Sequence, residues 1–181
     1  MNPDELQWST LTAERAIRDV LVRYCRGLDR MDESLVASCY HRDATHDHGI
    51  FVGTATDFVR YAMDSVKTML GTMHCLHNSI IDVFGDVAVS ETYCIAYHRM
   101  RTASAESGEA DHVVGLRYID RFEERDGQWL IAQRAVAFEW SRVDVVDRTW
   151  NLPPNAIRGM RDESDVLYRF LGSLRPPMPP I

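Results

Sequence analysis

Arg134 constrains the chain more than any other residue. It lies in the run Trp129–Trp140, which reads as a β-strand. Alternate side chains of a strand share a face. Leu130, Ala132, Arg134, Val136, Phe138 and Trp140 are therefore expected on one side, and all but the arginine are apolar. A charge in the middle of such a face is buried, and a buried charge needs a partner. The sequence must return a carboxylate to this point. Asp29, about a hundred residues upstream, is the candidate, since it closes a helix that can pack on the sheet.

Two hydrophobic periods divide the chain. Ile17, Val20, Leu21, Tyr24 and Leu28 recur at spacings of three and four, which predicts a helix from Thr12 to Asp29, with Gly27 near its close. Asp32 and Ser34 suit the cap of a short second helix through Tyr40. His41 to Gly53 reads as a loop with a short strand, and Thr56 caps a third helix that stops at Gly71. The period then changes to two. Strands are predicted at Thr72–Phe84, Val87–Thr102, Asp111–Arg125 and Gln128–Val143. Gly85-Asp86 and Asp126-Gly127 form tight turns and Ala103–Ala110 a loop. Helices followed by a long antiparallel meander make an α+β fold, with the N-terminal helices on one face of a curved, mostly antiparallel sheet. Residues 1–146 make that domain, and 147–181 an extension with a helix over Asp162–Leu171 and a Pro-rich tail from Arg175 to Ile181.

Composition narrows the function classes. The chain has 181 residues and a net charge of -7, with no Lys/Arg block, so neither nucleic acid nor an anionic membrane surface is an expected partner. No apolar run reaches the roughly 18 residues of a membrane span. The opening Met1-Asn2-Pro3-Asp4-Glu5 is polar and acidic, unlike a secretion signal. Cys25, Cys39, Cys75 and Cys94 are widely spaced and lack a CxxC pair. They read as free thiols in a reducing cytoplasm. His41, His46, Asp47 and His48 are potential metal ligands, but they fall in one polar stretch that reads as a solvated loop. Neither a metal nor a cofactor is expected.

Several residues suit proton transfer. His74 shares a predicted strand face with Thr72, Leu76, Asn78 and Ile80, two polar residues at the start of an apolar face. An acid beside a neutral His makes a capable general base. Tyr24 lies on the apolar stripe of the first helix, so its hydroxyl needs a partner. His98 follows Ala88, Ser90, Thr92, Cys94 and Ala96 on a face of small side chains that leaves room for a ligand. Phe138 and Trp140 are placed to form an aromatic wall.

Together these blocks resemble the SnoaL-like branch of the nuclear transport factor 2-like superfamily. The resemblance runs from Ala13 to Arg142 and rests on Ile17–Asp29, Asp47-His48-Gly49, Met73–Asn78, Gly85–Ala88, Tyr118–Phe122 and Asp126–Ile131 followed by Arg134. It implies the cone fold with one deep pocket. In site layout the chain is similar to three lyases: bile-acid 7α-dehydratase, scytalone dehydratase and hexachlorocyclohexane dehydrochlorinase. Tyr24, Asp29 and His74 match the Tyr, Asp and His of the first. The Asp–His dyad and last-strand Arg of the third match Asp29, His74 and Arg134, although that enzyme carries Lys in the place of Tyr24. His98 is a loose counterpart of the second His of scytalone dehydratase.

The resemblance implies a cofactor-independent lyase acting on a small hydrophobic aromatic, polyketide-like or steroid-like compound. Tyr24, Asp29, His74 and Arg134 are the catalytic candidates. Asn78, His98, Phe138 and Trp140 are the substrate-binding ones. C–C cleavage releasing a small aldehyde and double-bond isomerisation are alternatives at the same site. A ligand-binding domain or a dioxygenase small subunit would use the fold without the chemistry. A homo-oligomer, dimer or trimer, is the expected assembly.

Overall fold

The structure is a computed structural model that describes residues 2–146 and 152–174. Its first helix, α1 (Pro3–Asp29), starts earlier than its apolar stripe. Asn2 caps it, Pro3 occupies the first turn, and Glu5 completes a capping box with the Asn2 backbone. From Asp4 to Thr12 no residue is buried, which is why periodicity starts the helix only near Ala13. The stripe itself behaves as expected: Ile17, Val20, Leu21, Tyr24 and Leu28 are all buried. Gly27 does not end α1 but lets α2 (Glu33–Ala37) approach, since a Cβ there would lie 2.5 Å from Val36 Cγ2. Asp32 caps α2 through Leu35 N.

The expected loop after α2 is instead largely a strand. β1 (Tyr40–Asp47) pairs parallel to the last long strand and antiparallel to the short β2 (Val52–Thr54). Thr54, two residues before the expected cap, opens α3 (Ala55–Lys67). The four long strands fall close to their predicted bounds: β3 (Gly71–Phe84), β4 (Val87–Arg101), β5 (Glu109–Arg125) and β6 (Gln128–Val145). The six-stranded sheet has the order β2-β1-β6-β5-β4-β3. It is antiparallel apart from β1–β6, and it curls around α1 and α3 as an open cone. At the β5–β6 turn, Asp126 and Gly127 both adopt positive φ (54° and 75°), the geometry a two-residue hairpin loop requires.

Three β-bulges, each one extra residue, decide which side chains enter the cone. In β3 the ladder steps from Leu76↔Cys94 to Ser79↔Thr92. In β6 it steps from Ile131 to Gln133 opposite Phe122 and Arg121, and from Phe138 to Trp140 opposite Leu116 and Gly115. Strict alternation therefore fails. The buried side of β6 is Trp129 and Ile131 before the first bulge and Arg134 after it. The uniform face running from Leu130 through Arg134 to Trp140 does not exist.

The same bulge corrects the expected partner of Arg134. Counted straight from the turn, Ile119 would oppose it. The extra Ala132 instead brings Asp120 opposite Arg134. Both are fully buried, and the guanidinium holds the carboxylate with two bonds, Nε–Oδ1 at 2.6 Å and Nη2–Oδ2 at 2.7 Å. The guanidinium carbon also lies 4.2 Å from the ring centres of both Tyr24 and Tyr118, which meet each other edge-on over it. Asp29 does not reach Arg134.

Beyond β6, α4 (Val166–Leu174) begins four residues later than the helix expected from Asp162. The segment before it packs on the body. Arg161 donates to the carbonyls of Val66 and Met69 at the end of α3, and Asp165 accepts from Met160 N and Leu167 N. The expected Pro-rich stretch from Arg175 lies outside the described residues. Among those described, no helix is long and apolar enough to cross a membrane.

Removing one member of a buried ion pair strands the other charge. Asp120→Ala should therefore lower unfolding stability by about 3–5 kcal/mol, read by urea denaturation. The double variant Asp120→Leu/Arg134→Met should lose clearly less. A single-variant loss below about 1 kcal/mol would mean that the pair does not hold the sheet as described.

Candidate active site

The C-terminal end of α1 meets the start of β3, and the contact is made by one carboxylate. Asp29 Oδ2 accepts from the His74 backbone N–H at 2.9 Å, while Oδ1 lies 2.7 Å from His74 Nδ1. Gripped at both main chain and ring, the imidazole cannot rotate away. Burial alone would raise the Asp29 carboxyl, but the hydrogen bonds and charge of His74 outweigh it and hold the group below its ordinary value. An ionised Asp29 keeps the proton on Nδ1 and leaves the Nε2 lone pair free. Asp29 sits behind the ring, beside a hollow lined by Arg26, Arg30 and Asp165. His74 also lines a second, more enclosed cavity that Asp29 does not reach.

That cavity has a volume of about 240 Å³. Its walls are largely apolar, with Leu28 and Tyr24 from α1, Phe58 and Val66 from α3, and Leu116 and Phe138 from β5 and β6. The polar groups converging on it include three imidazoles: His48, His74 and His98. The His98 ring stands edge-on to His74 with centres 5.6 Å apart. Burial, with the neighbouring His74, lowers His98 to about 4. Burial likewise pushes Tyr24 up to about 12, against the opposing pull of Arg134.

Of the residues singled out by sequence, Tyr24, His74, His98 and Phe138 line this cavity, and Asp29 orients His74 from behind. Three require correction. Arg134 is sealed beneath Tyr24 and Tyr118 and pairs with Asp120, so it supports the cavity wall without entering the cavity or touching Asp29. Asn78 and Trp140 line a separate hollow with His77 and Tyr93. Each sits at or just beyond a bulge, which turns it away from the His74 side. Trp140 lies close against Gly115, in space that a Cβ on Gly115 would occupy.

His46, His48 and Phe58 also belong to the site but were not among the catalytic or substrate-binding candidates. The first two lie in the stretch read as a loop, yet β1 carries His46 to full burial, stacked on Phe58 with ring centres 3.3 Å apart. His48 follows β1 and reaches the cavity, edge-on to Phe138. Only the structure shows Ala44 and His46 buried between exposed Thr45 and Asp47; the residue types alone give no apolar alternation there. His41, the other potential ligand in that stretch, bonds the Glu123 carbonyl instead. Among the described residues no three His, Cys, Asp or Glu side chains are grouped to hold a metal.

The model of the SnoaL-like domain family matches residues 9–135. The chain belongs to that family. Solved structures share its fold. A type 2 hexachlorocyclohexane dehydrochlorinase, LinA, superposes with a TM-score of 0.69 at 18% identity, covering 83% of this chain and 99% of LinA. A scytalone dehydratase-like protein from Novosphingobium aromaticivorans gives 0.67 at 23% identity, covering 83% and 99%. The Kfla4162 protein of Kribbella flavida gives 0.67 at 15%, covering 74% and 95%. A search of curated proteins found no match.

The buried imidazoles make stability pH-dependent. Burial and the charge of Arg134 lower His48 to about 4 and His46 to about 2. In the unfolded chain such groups protonate near pH 6.5. Unfolding below that pH therefore takes up protons, so stability is full above about pH 6.5 and falls as pH drops toward 4. The slope should reach about 1.4 kcal/mol per pH unit for each histidine held neutral. Denaturation midpoints between pH 7 and 4.5 measure it, and His98→Asn should remove about one proton from the uptake.

Proposed function

We propose that the chain is a cofactor-independent lyase that eliminates water from a small hydrophobic compound. The observation that carries this reading is the Asp29–His74 dyad, whose imidazole lines an apolar cavity. Membership of the SnoaL-like family and the fold shared with a dehydrochlorinase and a scytalone dehydratase-like protein support it.

In the proposed reaction His74 Nε2 takes a proton from a carbon made acidic by a neighbouring electron-withdrawing group. Asp29 stabilises the imidazolium that forms. The electron pair of the broken C–H bond becomes the new double bond, and the hydroxyl on the adjacent carbon departs. The imidazolium returns its proton to that oxygen, and water leaves. No net oxidation occurs, so acid–base groups balance the reaction. Tyr24, a phenol that keeps its proton to about 12, suits a hydrogen bond to the departing oxygen better than full proton transfer. His98 and Phe138 frame the ring of the ligand. An apolar cavity of roughly 150 Å³ holds benzene, so about 240 Å³ favours a compound of one or two rings over a full steroid.

The assay is a panel of aromatic and alicyclic β-hydroxy ketones, followed by conjugated-product absorbance and by mass spectrometry for loss of water. His74→Ala should reduce turnover by roughly 10²–10⁴-fold, and Asp29→Asn should do so without unfolding the chain. Near-normal turnover in His74→Ala would remove the dyad from the chemistry.

A further inference from the structure

A hydrogen-bonded file of side chains runs from the core to the cavity on the wall formed by β1. Tyr40 Oη lies 2.9 Å from His46 Nδ1, and His46 Nε2 lies 3.3 Å from His48 Nδ1. The file is held from both sides. Phe58 stacks flat on His46, and the Tyr40 ring meets Tyr24 edge-on with centres 6.0 Å apart. His46 stands in register with Arg134 on the neighbouring strand.

Proton counting fixes the direction of the file. A buried phenol donates its single proton or leaves it unsatisfied. His46 Nδ1, at 2.9 Å, is the well-formed side-chain partner of Tyr40 Oη. Accepting there, a neutral His46 carries its proton on Nε2 and donates to His48 Nδ1. A neutral His48 must then carry its proton on Nε2, the ring nitrogen left for the cavity. Neutrality follows from the surroundings: both rings are largely out of water, and the fixed positive charge of Arg134 lies close by. The opposite direction would require Tyr40 to donate to the Tyr24 hydroxyl, the other side chain within its reach, and a neutral imidazole nitrogen is the stronger acceptor of the two.

We propose that His48 is a second catalytic residue, a neutral N–H donor that binds the carbonyl oxygen of the substrate while His74 takes the adjacent proton, with Tyr40 and His46 as positioning residues that lock its tautomer. The proposal rests on the lyase reading and names its substrate class, a neutral carbonyl compound such as a β-hydroxy ketone. Removing a proton next to a carbonyl moves charge onto its oxygen, and a preorganised N–H in a dry site stabilises that charge. The walls argue against a carboxylate in its place. No Lys or Arg is among the lining residues, and the guanidinium of Arg134 is already paired with Asp120 behind the two tyrosines. A free carboxylate would enter an apolar cavity with no cation to meet it.

The tautomers are read directly by long-range ¹H–¹⁵N correlation spectra of protein labelled at histidine. His46 and His48 should both show protonated Nε2, and Tyr40→Phe should release the lock and give mixed tautomers at both rings. Protonated Nδ1 at His48 in the wild type, or unchanged tautomers in Tyr40→Phe, would overturn the relay. If Tyr40→Phe does not fold, the wild-type pattern alone decides.

Acetophenone and benzoate serve as probes. Acetophenone should move the His48 Nε2–H resonance and bind at least about tenfold more tightly than benzoate. A His48 signal that stays still, or preferred benzoate, would overturn the ligand class. In turnover, His48→Phe should lose roughly 10²–10³-fold in kcat, the cost of one oxyanion donor. Full activity in His48→Phe beside a dead His74→Ala would sink this proposal and leave the lyase reading intact. The expected spectra beside an active His74→Ala would remove the lyase reading and with it the catalytic role of His48, leaving only the tautomer lock.

Discussion

The Asp120–Arg134 pair is the interaction on which the cavity depends. It is a fully buried, doubly hydrogen-bonded ion pair capped by Tyr24 and Tyr118. Separating its charges inside the protein would cost several kcal/mol, so the pair pins β5 to β6 at one register. It also fixes Tyr24, since the ring that lies on the guanidinium is part of the cavity wall. The arginine acts through what it supports: two aromatic faces held in place and a positive field beneath His46 and His48.

Around that support the cavity separates its polar groups by what stands behind each. His74 has a carboxylate behind it and keeps a free lone pair in front. His48 has a histidine behind it, and that histidine has a phenol. The same imidazole thereby becomes an acceptor on one wall and, in our proposal, a donor on another. Between them the walls are apolar, and a low local dielectric strengthens both hydrogen bonds.

Much of this was legible in residue order. The helical stripe of α1, the two tight turns and the four long strands lie near their predicted places, because each depends on contacts within a few residues. The dyad was legible only through the family resemblance, which matched Asp29 and His74, whereas the residues alone paired Asp29 with Arg134. The reading failed wherever one extra residue intervened. Ala132 moved Asp120 opposite Arg134 and freed Asp29 for His74 alone. The bulge near Asn78 and the one before Trp140 turned both residues out of the cavity. β1 was read as a loop because its histidines and aspartates look solvent-bound until β6 supplies a parallel neighbour and Phe58 a ring to stack on.

Residue order by itself determined the period of each segment, and with it the α+β class, the curved sheet and the buried arginine. Tertiary structure alone decided the partners: which carboxylate neutralises Arg134, which faces of β3 and β6 look inward, and that His48 reaches the cavity. The reason is physical. Periodicity is a local property of the chain, whereas a bulge is chosen by how well two strands and the helices beneath them pack. A shift of one residue exchanges every face beyond it.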